Sequence, residues 1–273
     1  DAIPGTGQVS RLKTRLLGWW ADAMRWRGTD TMDEEWDTLL LLDACRYDVF
    51  KDNHSFDGVL ESRISKGAST HEFLRHNFRG GRDHHDTVYV TANPMYRVDE
   101  WVGTSIEGRF HAIVDVWRDS WDDELHTVRP QAVCRATLEA LEQYPKKRLL
   151  VHFMQPHYPF IGPTGQERID GQDNLDIARR RAQGEHRETR RDVWDRLAVG
   201  DLSREVVWES YVENLEITLP HLHRLVDAVD GRTVISSDHG NMLGERAWPL
   251  PFRVYGHPQN VYTEELRKVP WMV

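Results

Sequence analysis

The stretch "VISSDHGNMLGE", residues 234–245, decides how the chain is read. Val234 and Ile235 run into Ser236 and Ser237, and then into Asp238, His239 and Gly240. A buried strand that finishes on an acid and an imidazole side by side needs a reason, because neither packs well in a core. Both are good metal ligands when they stand at the mouth of a sheet. The rest of the chain is therefore searched for partners at other strand ends.

Short apolar runs rich in β-formers predict six buried strands: Thr38–Leu42, Thr87–Val90, Phe110–Val116, Arg148–Phe153, Thr233–Ser236 and Val269–Val273. Helix-like stretches lie between them, among them Thr127–Tyr144 and the long Leu202–Val229. Strands alternating with helices predict an α/β fold with a largely parallel sheet. Ligands of such sheets bind beyond the carboxyl ends of the strands. The first strand ends in "LLLLDACRYD", so Asp43 follows four leucines; a helix N-cap is the competing role for it. The fourth ends in "HFMQPHYPF", which puts His152 in or just after the strand and His157 between Pro156 and Pro159. His257 follows in "YGHP". Asp and His together suit Zn²⁺ or Mn²⁺; Mg²⁺ and Ca²⁺ are less well served by imidazole.

A hydrolytic or transfer site also needs a nucleophile. In "SKGASTHEFLRHNF", Ser69 and Thr70 precede a helix-like run, where free backbone amides and the helix dipole favour negative charge. A metal bound to such a hydroxyl lowers its pKa. Ser69 followed by Glu72 also reads as an ordinary capping box. Cys45 reads as an inert buried thiol, and His84-His85 as part of a loop.

The chain has 273 residues, 39% hydrophobic, with 11 Trp, enough for one large folded domain. No apolar run approaches the roughly 20 residues that span a bilayer. No signal peptide is visible in a sequence that begins without Met. Two cysteines make no disulfide framework, and this cysteine usage points to a reducing, cytoplasmic setting or to simple disuse of Cys. A net charge of −9 argues against nucleic-acid binding. Arg greatly outnumbers Lys and Asp outnumbers Glu, as on salt-adapted, halophilic surfaces. Residues 1–30 read as an N-terminal extension whose amphipathic helix, at about 8–28, has the pattern for peripheral contact with an anionic membrane. Residues 31–273 read as one domain. Within it the charged stretch 163–201 is an insertion on the active face, a lid or specificity element, with a solvated helical excursion as the plain alternative.

The ordered set "LLLLDACRYD", "GAST", "HFMQPHYPF", "SSDHGNMLGE", "YGHP" and "YTEELRKVPWMV" resembles the alkaline phosphatase/sulfatase superfamily over about residues 36–273. It looks most like the sulfatase-like branch, including stand-alone archaeal members. The resemblance implies an alkaline-phosphatase-like α/β fold, its sheet sandwiched between helices. It implies a divalent metal held by Asp43, by the nucleophile, and by Asp238 and His239. It implies that His157 and His257, with His152, contact the transferred group, protonate the leaving oxygen or hold a second metal. Arg46 matches a recurring supporting position. The implied substrate is an anionic ester, of a glycan or a lipid head group.

Departures from the family pattern narrow this. "STHEFLR", residues 69–75, has neither the Cys-or-Ser-x-Pro-x-Arg signature of formylglycine sulfatases nor their Cys. An unmodified Thr70 is the preferred nucleophile, with Ser69 as the alternative, which favours phosphate esters over sulfate esters. "EITLPHLHRL", residues 216–225, lacks the Asp of two-metal members, so one metal site is expected. The rival expectation is a degenerate scaffold that binds an anionic glycan or a partner protein without turnover.

Overall fold

The four leucines before Asp43 lie at the centre of the molecule. The structure is a computed structural model that describes residues 28–78, 82–103, 105–173, 175–185, 191–247 and 252–273. Strand β1 (Thr38–Asp43) is buried along its whole length. Its side chains alternate between two cores, as a period of two requires. Leu40 and Leu42 enter the larger core, and Leu39 and Leu41 the smaller. Each leucine withdrawn from water contributes about 2 kcal/mol, so β1 anchors both faces of the sheet. A strand covered on both faces reads as a continuous apolar run, which is why four consecutive leucines do not make a helix here.

The remaining strands are β2 (Leu60–Ile64), β3 (His84–Thr91), β4 (Phe110–Asp115), the short pair β5 (Trp121–Asp122) and β6 (Thr127–Val128), β7 (Arg148–Pro156), β8 (Thr233–Ser237), the hairpin β9 (Met242–Arg246) and β10 (Arg253–Gly256), and β11 (Lys268–Met272). Seven of them form one sheet in the order β2-β11-β8-β1-β7-β3-β4. All pairs within it are parallel except those of β11, which runs antiparallel to both β2 and β8. All six predicted strands are present. β2 and the small hairpins escaped the sequence reading because they carry too few apolar residues. His84 and His85, read as loop, open β3, where His84 packs on Phe78 and Phe110.

Helices cover both faces. α1 (Tyr47–Asn53), α3 (Pro130–Gln143) and α7 (Arg204–Ala228) feed the larger core, through Phe50, Val133, Leu215 and Leu222 among others. α2 (Thr70–Phe78) feeds the smaller core through Phe73, Leu74 and Phe78. The charged segment holds α4 (Pro163–Arg168), α5 (Leu175–Ala182) and α6 (Val193–Val199). It is not a solvated excursion, since Leu175, Ile177, Trp194 and Leu197 are buried. No helix among the described residues is long and apolar enough to cross a membrane. The expected membrane-surface helix at about 8–28 lies, but for Gly28, outside the described residues.

β1 sits between β8 and β7, so the carboxyl ends of these three strands share one edge. The chain leaves β1 towards one side of the sheet and returns to the other, which leaves a crevice at this switch point. The loop after β7 carries His157, which lies between two cis peptide bonds, Gln155–Pro156 at the end of β7 and Tyr158–Pro159 in the loop. It is clamped by Asn214, a fully buried residue of α7. The Asn214 amide donates to the carbonyls of His157 and Pro159, both at 3.0 Å, and its Oδ1 accepts from Ile161 N at 2.7 Å. Replacing it with an apolar residue strands several buried polar groups at once, each of which costs about 1–3 kcal/mol. Asn214→Leu is expected to lower the unfolding free energy by about 3 kcal/mol; urea denaturation at neutral pH checks this.

Candidate active site and metal centre

Ser237 holds the strand ends together. Its hydroxyl lies 2.8 Å from Leu42 O and 2.7 Å from His239 O, and it accepts from Cys45 N at 2.8 Å. This explains the serine before the Asp-His pair: one hydroxyl stitches the end of β8 to the end of β1. Asp43 does not cap α1. The N-cap there is Arg46, without a side-chain bond, and Ala44 takes a left-handed φ of 59° between strand and helix. That turn aims Ala44 N at Asp238 Oδ1, 3.0 Å away, while His239 N donates to the same oxygen at 2.8 Å.

Asp43, Asp238, His152 and His239 are all buried. His239 Nε2 lies 3.7 Å from Asp43 Oδ1 and 3.5 Å from Asp238 Oδ2. His152, within β7, places Nε2 3.6 Å from Asp238 Oδ2. Among the described residues, one group of acids and histidines has ligand atoms close enough to hold an ion: Asp43, His152 and Asp238, all within 4.8 Å of one another. Asp43 Oδ1, His152 Nε2 and Asp238 Oδ2 each lack a hydrogen-bond partner. Three orphaned buried atoms from three neighbouring strands, converging on one point, fit a cation.

The electrostatics agree. Burial, then the charge of Asp238, pushes the Asp43 carboxyl well above its ordinary range, although Asn93 and Thr70 bond to it. Burial also pushes Asp238 upward, but His239, His152 and the Ala44 amide overcome this and hold it well below the usual carboxylate range. Two neighbouring carboxylates that cannot both ionise comfortably are the setting in which a divalent cation is bound. His239 Nδ1–H donates to Gly240 O at 2.7 Å, which leaves the Nε2 lone pair facing the cluster. His152 Nδ1 is likewise engaged, by the Tyr89 hydroxyl at 2.9 Å.

Thr70 is the first residue of α2. Its Oγ1 lies 3.2 Å from His239 Nε2 and 3.5 Å from Asp43 Oδ2. Ser69 Oγ is buried with no partner and does not reach this cluster. Nor does Ser69 form the capping box. Glu72 instead accepts from Ala68 N at 2.9 Å and, through its other oxygen, from Asn260 N at 2.9 Å. Gly67 has no side chain to spare: a Cβ there would collide with the backbone nitrogen of Phe73, so glycine allows the loop to close onto α2.

Asp43, Thr70, His157 and His257 open onto one cavity of about 450 Å³. The rings of His239, His257 and His157 follow one another at 4.8 and 4.9 Å. Burial above all lowers His157 to about 4 and His257 well below its ordinary value. Three further contributions, from His71, Asn93 and Met95, were not anticipated. His71 lines the cavity beside Thr70. Asn93 donates to Asp43 Oδ2 at 2.9 Å while its Oδ1 accepts from Met95 N. Met95 lines the cavity too, as do residues of α5 and α6 from the charged segment expected on the active face. Asn93 was findable, since "YVTANP" is one more strand end with a polar residue before a proline.

Arg46 acquires a role. Its guanidinium grips Asp48 with two bonds, at 2.9 and 2.6 Å, and Glu245 at 2.7 Å. It thereby ties the loop after β1 to β9, just beyond Asp238 and His239. Arg46 holds the Glu245 carboxyl below its ordinary range, against the upward push of burial. A lowered folded pKa stabilises above the unfolded pKa, and the benefit is lost as pH falls through the folded one. Glu245→Gln is therefore expected to cost about 1–2 kcal/mol at pH 7, a gap that closes in acid; denaturation at both pH values checks it.

No family model matches this chain, and no curated protein matches it. Solved structures do. The chain is similar to the integral membrane lipooligosaccharide phosphoethanolamine transferase of Neisseria meningitidis at 14% identity and a TM-score of 0.49, over 90% of this chain and 49% of that one. It thus spans about half the length of that protein. It is similar to the phosphonate monoester hydrolase of Agrobacterium radiobacter at 15% identity and a TM-score of 0.49, over 87% of this chain and 67% of that one. It is also similar to the periplasmic domain of a phosphoethanolamine transferase of Campylobacter jejuni, at 13% identity and a TM-score of 0.45, over 88% and 79%.

Proposed function

We propose that the chain is a metal-dependent enzyme that hydrolyses or transfers phosphate or sulfate esters, with Thr70 as nucleophile. The observation that carries this is the position of Thr70 Oγ1. It sits at the start of a helix, within 3.5 Å of both His239 Nε2 and Asp43 Oδ2, on the wall of a cavity.

Asp43, Asp238 and His239, joined by Thr70 and by His152 from the strand, would hold one Zn²⁺ or Mn²⁺ ion. Bound there, the ion would lower the pKa of the Thr70 hydroxyl and offset charge on the transferred group. The chain's own groups do the rest. With His239 Nε2 turned to the ion, Asp43 Oδ2 is the acceptor for the Thr70 proton. The free amides at the start of α2 favour the developing negative charge. Thr70 Oγ forms a bond to phosphorus or sulfur as the bond to the leaving oxygen breaks, water in the cavity protonates the departing oxygen, and a threonine ester results. Water or an acceptor alcohol then takes the group from Thr70. His157 and His257, kept neutral by burial, suit hydrogen bonds to the group's oxygens and removal of the acceptor's proton.

The scaffold alternative leaves the convergence unexplained. A binding surface needs no orphaned carboxylates buried side by side, an arrangement that weakens the fold.

The test compares aryl phosphate monoesters, phosphate diesters and sulfate esters as substrates, with Mn²⁺ or Zn²⁺ present. Thr70→Ala is expected to lose at least about a thousandfold in kcat, while Ser69→Ala keeps most of it. Rapid quenching should yield a phosphoryl or sulfuryl group on the peptide that contains Thr70. Activity retained by Thr70→Ala would overturn the assignment.

A further inference from the structure

The cavity beyond Thr70 is larger than a phosphoryl or sulfuryl group requires. At about 450 Å³ it falls in the range that encloses a small organic ligand. Its walls are divided by chemistry. The inner end presents Asp43, Thr70 and the histidines. Leu175, Ile177 and Ala178 from α5, with Met95 and Tyr158, supply an apolar share of the lining, and Tyr158 stacks on His157 at 4.5 Å. Arg181, Arg191, Asp192 and Asp195 complete the lining.

The α5 share lies in the most polar stretch of the chain, so its apolar residues are few and specifically placed. α5 divides them by face. Leu175, Ile177 and Ala178 look into the cavity, while Asp176 and Arg179 fasten the back of the helix to the β5–β6 hairpin. Asp176 Oδ2 meets His126 Nδ1 at 3.2 Å. Arg179 reaches Asp123 at 3.1 Å and lies over the Trp121 ring at 4.7 Å. α5 also packs against the turn Pro94–Arg97 that carries Met95. The apolar wall is thus fixed in place on two sides.

We infer that this wall binds an apolar arm of the ester, so that the substrate class is an alkyl, aryl or acyl-bearing phosphate or sulfate ester and not a phosphorylated or sulfated glycan. This rests on the reading of Thr70 and its neighbours as the ester-binding end. A glycan would bring hydroxyls against Leu175, Ile177 and Ala178, which offer them no hydrogen bonds. From Leu175 to Ala178 the helix rises about 4.5 Å, and the charged residues follow within a turn. The apolar arm next to the reacting centre is accordingly short, on the order of a hexyl chain or one aromatic ring.

Calorimetric titration of the Mn²⁺-loaded protein with methylphosphonate and with hexylphosphonate tests this without turnover. Each methylene removed from water strengthens binding by a factor of about four. With the added chain only partly enclosed, hexylphosphonate is expected to bind at least about tenfold tighter. Ile177→Ser should cut that ratio below about threefold, and Ala178→Asp should do the same if the first variant folds poorly. The ratio compares two ligands on one sample, so partial misfolding does not alter it. Equal affinities in the wild-type protein, or a ratio unchanged in the variants, would overturn the apolar-arm assignment alone. Failure of both phosphonates to bind would overturn the ester-site reading together with it.

Discussion

Asp43 and Asp238 stand next to each other, out of water, at the ends of adjacent strands. Without compensation this arrangement would be unstable, because desolvation and mutual repulsion act on both carboxylates. The protein compensates locally. Ala44 N and His239 N donate to one carboxylate, and Asn93 donates to the other. One oxygen of each carboxylate, and one nitrogen of His152, are still left without a partner. That residue of unsatisfied valence is what the rest of the fold is arranged around.

The surroundings can be understood as devices that keep these groups in register. Continuous apolar strands fix where Asp43 and His152 lie, since β1 and β7 pair residue by residue up to a bulge at Asp43. Ser237 closes the ends of β1 and β8. Arg46 holds the loop after β1 against Glu245, and Tyr211 bonds both to Arg46 N at 3.0 Å and to Ala44 O. Asn214 fixes the loop that carries His157. The same helix, α7, thus braces the loops after β1 and β7 from behind. Each support is a buried polar side chain with its bonds satisfied, the condition under which such networks specify one geometry.

Much of this was legible before any fold was known. Strand ends carry a local signature, an apolar run that stops on a polar residue, and it singles out Asp43 and Asp238; His152 lies inside β7, followed by Phe153 and Met154. Thr70 over Ser69 was a preference that only the geometry of α2 could support, because neighbouring residues at a helix start differ in direction and not in type. The capping box failed because Glu72 had a better use, bracing Ala68 and Asn260 across the loop. Asn214 and Tyr211 were invisible for a different reason. They sit at apolar-spaced positions of a long helix, and their partners lie more than 50 residues away in sequence. The character of the segment 163–201 was hidden by averaging. Its charge is real and part of it reaches the cavity, but Leu175, Ile177 and Ala178 give the same lining an apolar share.

The most direct measurement is anomalous diffraction at the metal absorption edge, from crystals of the protein grown with Mn²⁺ or Zn²⁺. The account requires a single strong peak bounded by Asp43, Asp238, His239 and His152, at metal–ligand distances of about 2.0–2.2 Å, with Thr70 Oγ1 beside it. A peak elsewhere, or none at saturating metal, would mean that the orphaned carboxylates serve some other end and that Thr70 has no activator.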